Sequence, residues 1–446
     1  MFSSIKKLIP PWVIRSYHWF KAVLAAYYFG FPSQDMVVIG ITGTNGKTTT
    51  CNLIAKILEE DGHKIGLATT INFQIGRKKW VNTTKFTTLS AWQLQSLLSR
   101  MKKSKCRYAI IEVSSHAIEQ YRIWGIDFDI VALTNLTREH LDYHQTMENY
   151  LHSKSKLFSQ LCRSRRKQKI KKVSVINLQD LSWPQLIKQP ADKKYTFSLT
   201  KQSQIKLSKY PHAIFLYVNN LELNTAGSTF TINTPHHRRT MTLHIPGKFN
   251  VQNALLATCI ARSQKIKLKT IRDALAQIDL IPGRMEAVDL GQPYRVYIDY
   301  ALTPDSLEKL YKDTIKPMAT KKIIAVMGAC GDRDQGKRPI MTKIVGEYAD
   351  KIVLTHEDSW TEDPQTIISQ LEAGLIANAK KLNRDYFIIP NRQEAIHKAL
   401  TFAKKDDIVV ITGKGAETKM VYPDRVIDWN ERRVTEELIK EVSHVN

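Results

Sequence analysis

The chain has 446 residues, too many for one ordinary hydrophobic core, so its length predicts two or three domains. Apolar residues make up 43% of it and aromatics 9%, which excludes a disordered chain. Five cysteines, an odd number with no CxxC pair, exclude a disulfide frame and a zinc site and point to a reduced, cytoplasmic setting. Lys and Arg number 66 against 42 Asp and Glu, and the net charge of +24 suits anionic partners. No RNP motif or paired Cys/His supports nucleic acid as one of them.

The first 35 residues are rich in Trp, Tyr and Leu, with Lys6, Lys7, Arg15 and Lys21 among them. Their longest uncharged stretch, 22–34, falls short of the roughly 20 apolar residues that span a bilayer. No small-residue cleavage site follows it. Residues 1–35 therefore read as a helical segment, either packed on the next domain or lying against a membrane surface or partner through basic and aromatic anchors.

Next comes "GITGTNGKTTT" (40–50) after an apolar run, in the order strand, glycine-rich loop, helix. Successive backbone N–H groups at Gly43, Thr44, Asn45, Gly46 and Thr49 can cradle an anion at the helix start. Lys47 adds a point charge and the Thr48 hydroxyl can meet magnesium. The spacing is not that of a standard Walker A loop, whose first glycine would fall on Ile41. A nucleoside triphosphate is still the expected ligand.

Beyond the loop, Leu53, Ile54, Ile57 and Leu58 share one helical face, and apolar β-type runs recur at 64–70, 107–115, 128–136 and 173–178. Strands alternating with helices predict an α/β fold with a mostly parallel sheet covered on both faces. The basic run "RSRRKQKIKK" (163–172) reads as a solvated connection. After about residue 195, "AIFLYVN" and "STFTINT" predict antiparallel strands appended to that sheet. A second, Rossmann-like α/β series begins after "IPGRME" (281–286). The expected divisions are 1–35, a central P-loop-type domain over 36–283, and a C-terminal domain over 284–446.

Two residues attract attention at predicted strand ends, where α/β sheets hold ligands. Glu112 ends one strand and His140 follows the next, and both could join magnesium beside phosphate oxygens. Considered singly, Glu112 is an ordinary solvated charge, and Lys154, further along, an ordinary charged helix residue. Asn250 and Asn253, three apart, share a helix face, and Asn250 reads equally as a helix N-cap.

The loop "GTNGKTT" resembles that of the Mur ligase family, ATP-dependent enzymes that add amino acids to peptidoglycan precursors. Further blocks carry the resemblance, closest to the branch that adds the third residue: "EVSSHAIEQYR" (112–122), "TNLTREHLDYHQTMENYLHSKSKLF" (134–158), "PGKFNVQNALLA" (246–257), "PGRME" (282–286), "DYALTPDSLE" (299–308), "GACGDRDQGKRPIM" (328–341) and "GKGAE" (413–417). The resemblance implies ATP on the loop with Lys47, magnesium at Thr48, Glu112 and His140, and a carbamylated Lys154 as a further oxygen ligand. It puts Asn250, Asn253, Arg284 and Asp299 on the nucleotide. It assigns Thr87, Thr88, Ser114, Gln120 and Arg122 to a muramoyl-peptide acceptor, and Arg333 and Glu417 to the incoming amino acid. The implied reaction is amide-bond formation through an acyl phosphate, on small-molecule substrates.

Four departures qualify the match. Leu89 stands where the family has Pro, Leu302 where it has His, and "EDSW" (357–360) where the diaminopimelate-adding enzymes have D-N-P-R. Trp360 cannot replace an arginine fork, and Glu357 with Asp358 would favour a cationic side chain. Only 35 residues precede the loop strand, too few for the family's UDP-binding domain. A different, non-UDP or lipid-linked acceptor, or a nucleotide-binding scaffold without activity, are the alternative readings.

Overall fold

The structure is a computed structural model that describes residues 10–224 and 226–445. Its first sheet contains β1 (Val37–Thr42), β2 (Ile65–Ala68), β3 (Asn72–Ile75), β4 (Lys78–Val81), β5 (Tyr108–Glu112) and β6 (Ile130–Leu133). It continues with β7 (Val173–Asn177), β8 (Lys193–Ser198), β9 (Ile214–Asn224), β10 (Gly227–Asn233) and β11 (Arg238–Leu243). The strand order is β11-β10-β9-β8-β7-β6-β1-β5-β2-β3-β4. From β9 across to β2 every pairing is parallel, and both flanks finish antiparallel.

β1 is buried at all six residues and lies between β5 and β6. A strand paired on both edges and covered on both faces has no polar side to show, hence its unbroken apolar spelling. Leu53, Ile54, Ile57 and Leu58 of the helix Lys47–Glu60 cover it, packing with Ile39, Ile41 and Ile110. The helix Lys248–Ser263 packs beside that helix.

The second sheet contains β12 (Glu286–Val288), β13 (Arg295–Asp299), β14 (Ile323–Met327), β15 (Lys351–Leu354), β16 (Tyr386–Ile388) and β17 (Ile408–Thr412). Its order is β12-β13-β17-β14-β15-β16, parallel except for β12. The mixed α/β architecture with appended antiparallel strands is the one expected from the sequence. A fully buried pair, Arg392 with Glu431, ties the helix Arg392–Phe402 to the helix Glu431–Val445.

The helix Pro11–Tyr28 seats Ala22, Ala25 and Ala26, all buried, on the helix Ala91–Lys103. Positions 1–9 of the expected N-terminal segment lie outside the described residues. Among the described residues no helix is long and apolar enough to cross a membrane.

Candidate active site

β1 ends at Thr42, beside Glu112 at the end of β5 and Leu133 at the end of β6. The glycine loop leaves β1 at this edge. Gly43 has φ 141°, and a Cβ there would lie 1.9 Å from the Thr134 hydroxyl oxygen, so only glycine fits. Gly46 (φ 81°) similarly abuts the Asn253 side-chain oxygen. Thr44 and Asn45 donate their backbone N–H groups to Asn135, at 2.8 and 3.0 Å, which braces the loop against the neighbouring strand end.

An open cleft runs from this loop to the second sheet. Its walls include Thr44, Asn45, Gly46, Lys47, Thr48, Thr49, Glu112, His140 and Asn253 from the first sheet's side. From the other side come Arg284, Asp299, Leu302, Arg333, Asp358, Trp360 and Glu417. Residues predicted far apart in the sequence therefore share one space.

Lys47 Nζ folds back to donate to the Thr44 carbonyl at 2.8 Å. Burial pulls its ammonium below the ordinary lysine range, with Glu112 opposing. Thr48 Oγ1 donates to Glu112 Oε2 at 2.9 Å, and the same carboxylate oxygen accepts the Thr70 N–H. His140 sits with φ 56° and its ring 4.7 Å from that of His116. Burial, then His116 and Lys154, keep His140 neutral, with its pKa lowered.

Among the described residues no group of three or more His, Cys, Asp or Glu forms a metal cage. The donors present, one hydroxyl and one carboxylate at a phosphate loop with an imidazole on the same cleft, fit magnesium. That ion takes one or two protein ligands and completes its shell with phosphate and water.

Several expected site residues are not in the cleft lining, among them Gly43 and, behind the wall, Lys154, Asn250 and Glu357. Lys154 is wholly buried, donates to the Gly43 carbonyl at 2.8 Å and lies 4.4 Å over the Tyr150 ring. Burial and the neighbouring Lys47 hold its pKa well below the usual value, so a neutral amine is accessible there. Asn250 donates to the Pro246 carbonyl and accepts from Asn253, so it braces the helix that Gly247 begins and does not cap it. Glu357 departs from the expectation of an acidic pair facing the substrate. Its carboxylate packs between Cys330, whose thiol donates to it at 2.9 Å, and Gly413, because the strand-end turn directs only Asp358 inward. Burial raises the Glu357 pKa.

Asp299 accepts the Met285 N–H at 2.8 Å, and burial raises its pKa to about 6, with Arg284 opposing. Arg284 lies 4.7 Å over the Tyr300 ring and reaches Thr48 Oγ1 at 3.3 Å, which links the two sheets' contributions.

Next to the cleft, Thr88, Ser114, Gln120 and Arg122 form one hydrogen-bonded group. Thr88 Oγ1 accepts the Ser114 N–H at 2.9 Å. Arg122 donates to the Thr88 carbonyl at 2.9 Å and to Gln120 Oε1. Of the expected acceptor residues, Thr87 itself lines the cleft.

At the far end, Asp358 and Glu417 are both held by ammonium groups that the sequence reading did not single out. Lys85 Nζ donates to Asp358 Oδ2 at 2.8 Å and to Glu417 Oε2 at 2.7 Å. Lys414 Nζ donates to Asp358 Oδ1 at 2.9 Å and also to Glu417. Burial would raise the Asp358 pKa, but Lys414 and Lys85 hold it below the usual range. Tyr300 donates its hydroxyl to Glu417 Oε1 at 3.0 Å. Arg333 lines the cleft, and its guanidinium donates to the Asp332 carbonyl. Lys337 and Glu139, also missed, pair at 2.9 Å across the cleft while buried. Lys414 and Lys337 lay inside quoted motifs, whereas nothing in the local sequence marked Lys85.

A glycine loop at the end of a parallel sheet, facing a second α/β sheet across one charged cleft, defines a nucleotide-dependent enzyme assembled from two units. Family comparison makes this specific. Residues 41–261 match the Mur ligase middle domain and residues 283–415 match the Mur ligase, glutamate ligase domain. The chain is 39% identical over 418 residues to the UDP-N-acetylmuramoyl-L-alanyl-D-glutamate–2,6-diaminopimelate ligase of Bacillus cereus, covering 94% of this chain and 81% of that one. The enzyme of the same name from Caldanaerobacter subterraneus is 38% identical, with the same coverage. A solved structure of a ligase of this name superposes with a TM-score of 0.59 at 32% identity, over 92% of this chain and 79% of that one. Folylpolyglutamate synthase of Mycobacterium tuberculosis, complexed with ADP, shares the fold at 16% identity and TM-score 0.68, over 91% and 92%. The chain belongs to the Mur ligase family and is an ATP-dependent ligase of that family.

Proposed function

We propose that this ligase adds an amino acid to the carboxylate of a muramoyl-peptide-like acceptor, a UDP-muramoyl dipeptide being the first candidate. The observation that carries the reading is the single cleft with a phosphate loop at one end and the Asp358–Glu417 pair at the other.

In this reading ATP lies along the glycine loop. Lys47 swings from the Thr44 carbonyl to the transferring phosphate, and Asp299, Asn253 and Arg284 flank the nucleoside side. Thr48 and Glu112, with His140, would hold magnesium, whose chemistry is to neutralise charge on the phosphates. Thr87, Thr88, Ser114, Gln120 and Arg122 orient the acceptor. An oxygen of its carboxylate attacks the γ-phosphorus, ADP departs, and an acyl phosphate forms. The amine of the incoming amino acid, steered by Asp358 and Glu417 with Arg333 at its carboxylate, attacks the acyl carbon. Phosphate leaves and the amine's proton passes to solvent. Such transfer requires positioning and charge neutralisation rather than protein nucleophiles.

Lys154 supports a carbamate. A buried lysine of depressed pKa presents the neutral amine that adds carbon dioxide, and the product places an anion beside the loop where an ammonium would repel magnesium. Domains spanning 36–283 and 284–446 would close on each other around this chemistry.

The test is phosphate release from ATP across amino acids, with UDP-muramoyl dipeptide present or absent. Release that requires that acceptor is the expected result. Release with other carboxylates alone assigns a different acceptor, and ATP binding without release under any condition overturns ligase activity. Lys47→Ala should lower turnover at least a hundredfold, the scale of removing one preorganised charge from a phosphoryl-transfer site. Unchanged turnover would remove Lys47 from the site.

A further inference from the structure

The helix Pro11–Tyr28 is inverted relative to an ordinary surface helix. Its inner stripe is built from small residues, Ala22, Ala25 and Ala26, seated on the helix Ala91–Lys103. Its outer face carries the large side chains instead. Trp12 is 70% exposed, Phe20 56%, Tyr27 68% and Tyr28 72%, with Trp19 and Leu24 also exposed. Trp92, exposed on the supporting helix, extends this surface by packing 4.9 Å from the Tyr28 ring. At about 100° per residue, Arg15 and Lys21 fall at opposite borders of the aromatic arc. Each is held against a tyrosine, Arg15 donating to Tyr121 and Lys21 to Tyr17. The helix contains no Asp or Glu, and Lys6 and Lys7 precede it in the sequence.

We propose that this face lies on an anionic lipid bilayer. Three features select that occupant. Trp and Tyr, which join an apolar body to a polar tip, are the side chains suited to a membrane–water interface. Cations at the borders of the arc match anionic headgroups while their stems follow the apolar face. A second copy seated on the same face would bring Arg15 and Lys21 of both chains together without an acid on either helix. The helix lies on the bilayer and does not enter it as a span. The inference goes beyond the ligase reading and does not depend on it.

Flotation of the full-length chain with phosphatidylglycerol/phosphatidylcholine vesicles, against phosphatidylcholine alone, tests it. Binding to the anionic vesicles that weakens with salt is expected. Arg15→Gln combined with Lys21→Gln should weaken it about 25-fold, since a cation near an anionic surface is worth about fivefold. Trp12→Ser combined with Phe20→Ser should abolish it with the melting temperature unchanged, because both side chains are exposed. Absence of flotation with anionic vesicles overturns the proposal, as does flotation unaffected by both double variants. A concentration-dependent dimer lost in Trp12→Ser/Phe20→Ser, without vesicle binding, assigns the face to a second copy instead.

Discussion

Lys85 places an ammonium between the two carboxylates to which the incoming amine is assigned, so it competes for the same anions. Lys85→Met keeps the aliphatic stem and removes the charge. The KM for the amino acid should fall about tenfold, the worth of one charge-assisted hydrogen bond, with the KM for ATP unchanged. A purely structural Lys85 would instead give a raised KM and a lowered melting temperature. The two ammonium groups also revise the substrate expectation, because Asp358 is already neutralised and its acidity alone does not call for a cationic side chain. Asp299 makes a second prediction. Its folded pKa, about 6, lies above the ordinary aspartate value, so the native state holds the proton longer than the unfolded chain. Stability from this group is present below about pH 4 and is lost as pH rises through 6. Asp299→Asn should therefore gain in melting temperature over the parent chain as pH rises through that window, measured without nucleotide, while losing ATP affinity. Asp299 was legible as the end of an apolar strand run, and Glu417 through the resemblance of its block, "GKGAE". Lys85 was not, since its importance comes from partners 273 and 332 positions away in the sequence.

Among the elements, the strand–loop–helix unit at β1 is the best written. Its apolar run, its two glycines of positive φ and the stripe from Leu53 to Leu58 each satisfy a local rule that agrees with the others. Gly43→Ala should therefore fail in two ways. The backbone conformation is strained for any side chain, and the methyl group meets the Thr134 hydroxyl. A stability loss of about 2 kcal/mol in urea unfolding, together with loss of ATP binding, is expected, whereas Gly62→Ala, with open space around it, should keep ATP binding. The mode of pairing was partly hidden. The spelling of β9 and β10 announced alternation and hence antiparallel pairing, but nothing local showed that β9 joins β8 in parallel. The turn of Glu357 away from the cleft was equally illegible, because it depends on where Gly413 and Cys330, which follow other strands, come to lie.

At the level of the whole molecule, the ties across the cleft include Lys85 to Asp358 and Glu417, Lys337 to Glu139, Asn45 to Asp305 and Arg284 to Thr48. Pairs removed from water are strong only while both members remain, so any opening of the cleft would expose these groups together to solvent. The alternation of strands and helices foretold two α/β units, but the ties between them arise only from three-dimensional placement.

The central position of β1 also bears on how the chain is made. β1 is made before both of its neighbours, β5 and β6, with Val37 opposite Tyr108 and Ile39 opposite Ile130. An emerging polypeptide therefore carries this water-averse segment with one edge bare until residue 112 has left the ribosome and the other until residue 133. The nucleotide loop attached to it can take shape only after that moment. For this protein the glycine loop is translated well before the strands that frame it, and is completed only with them.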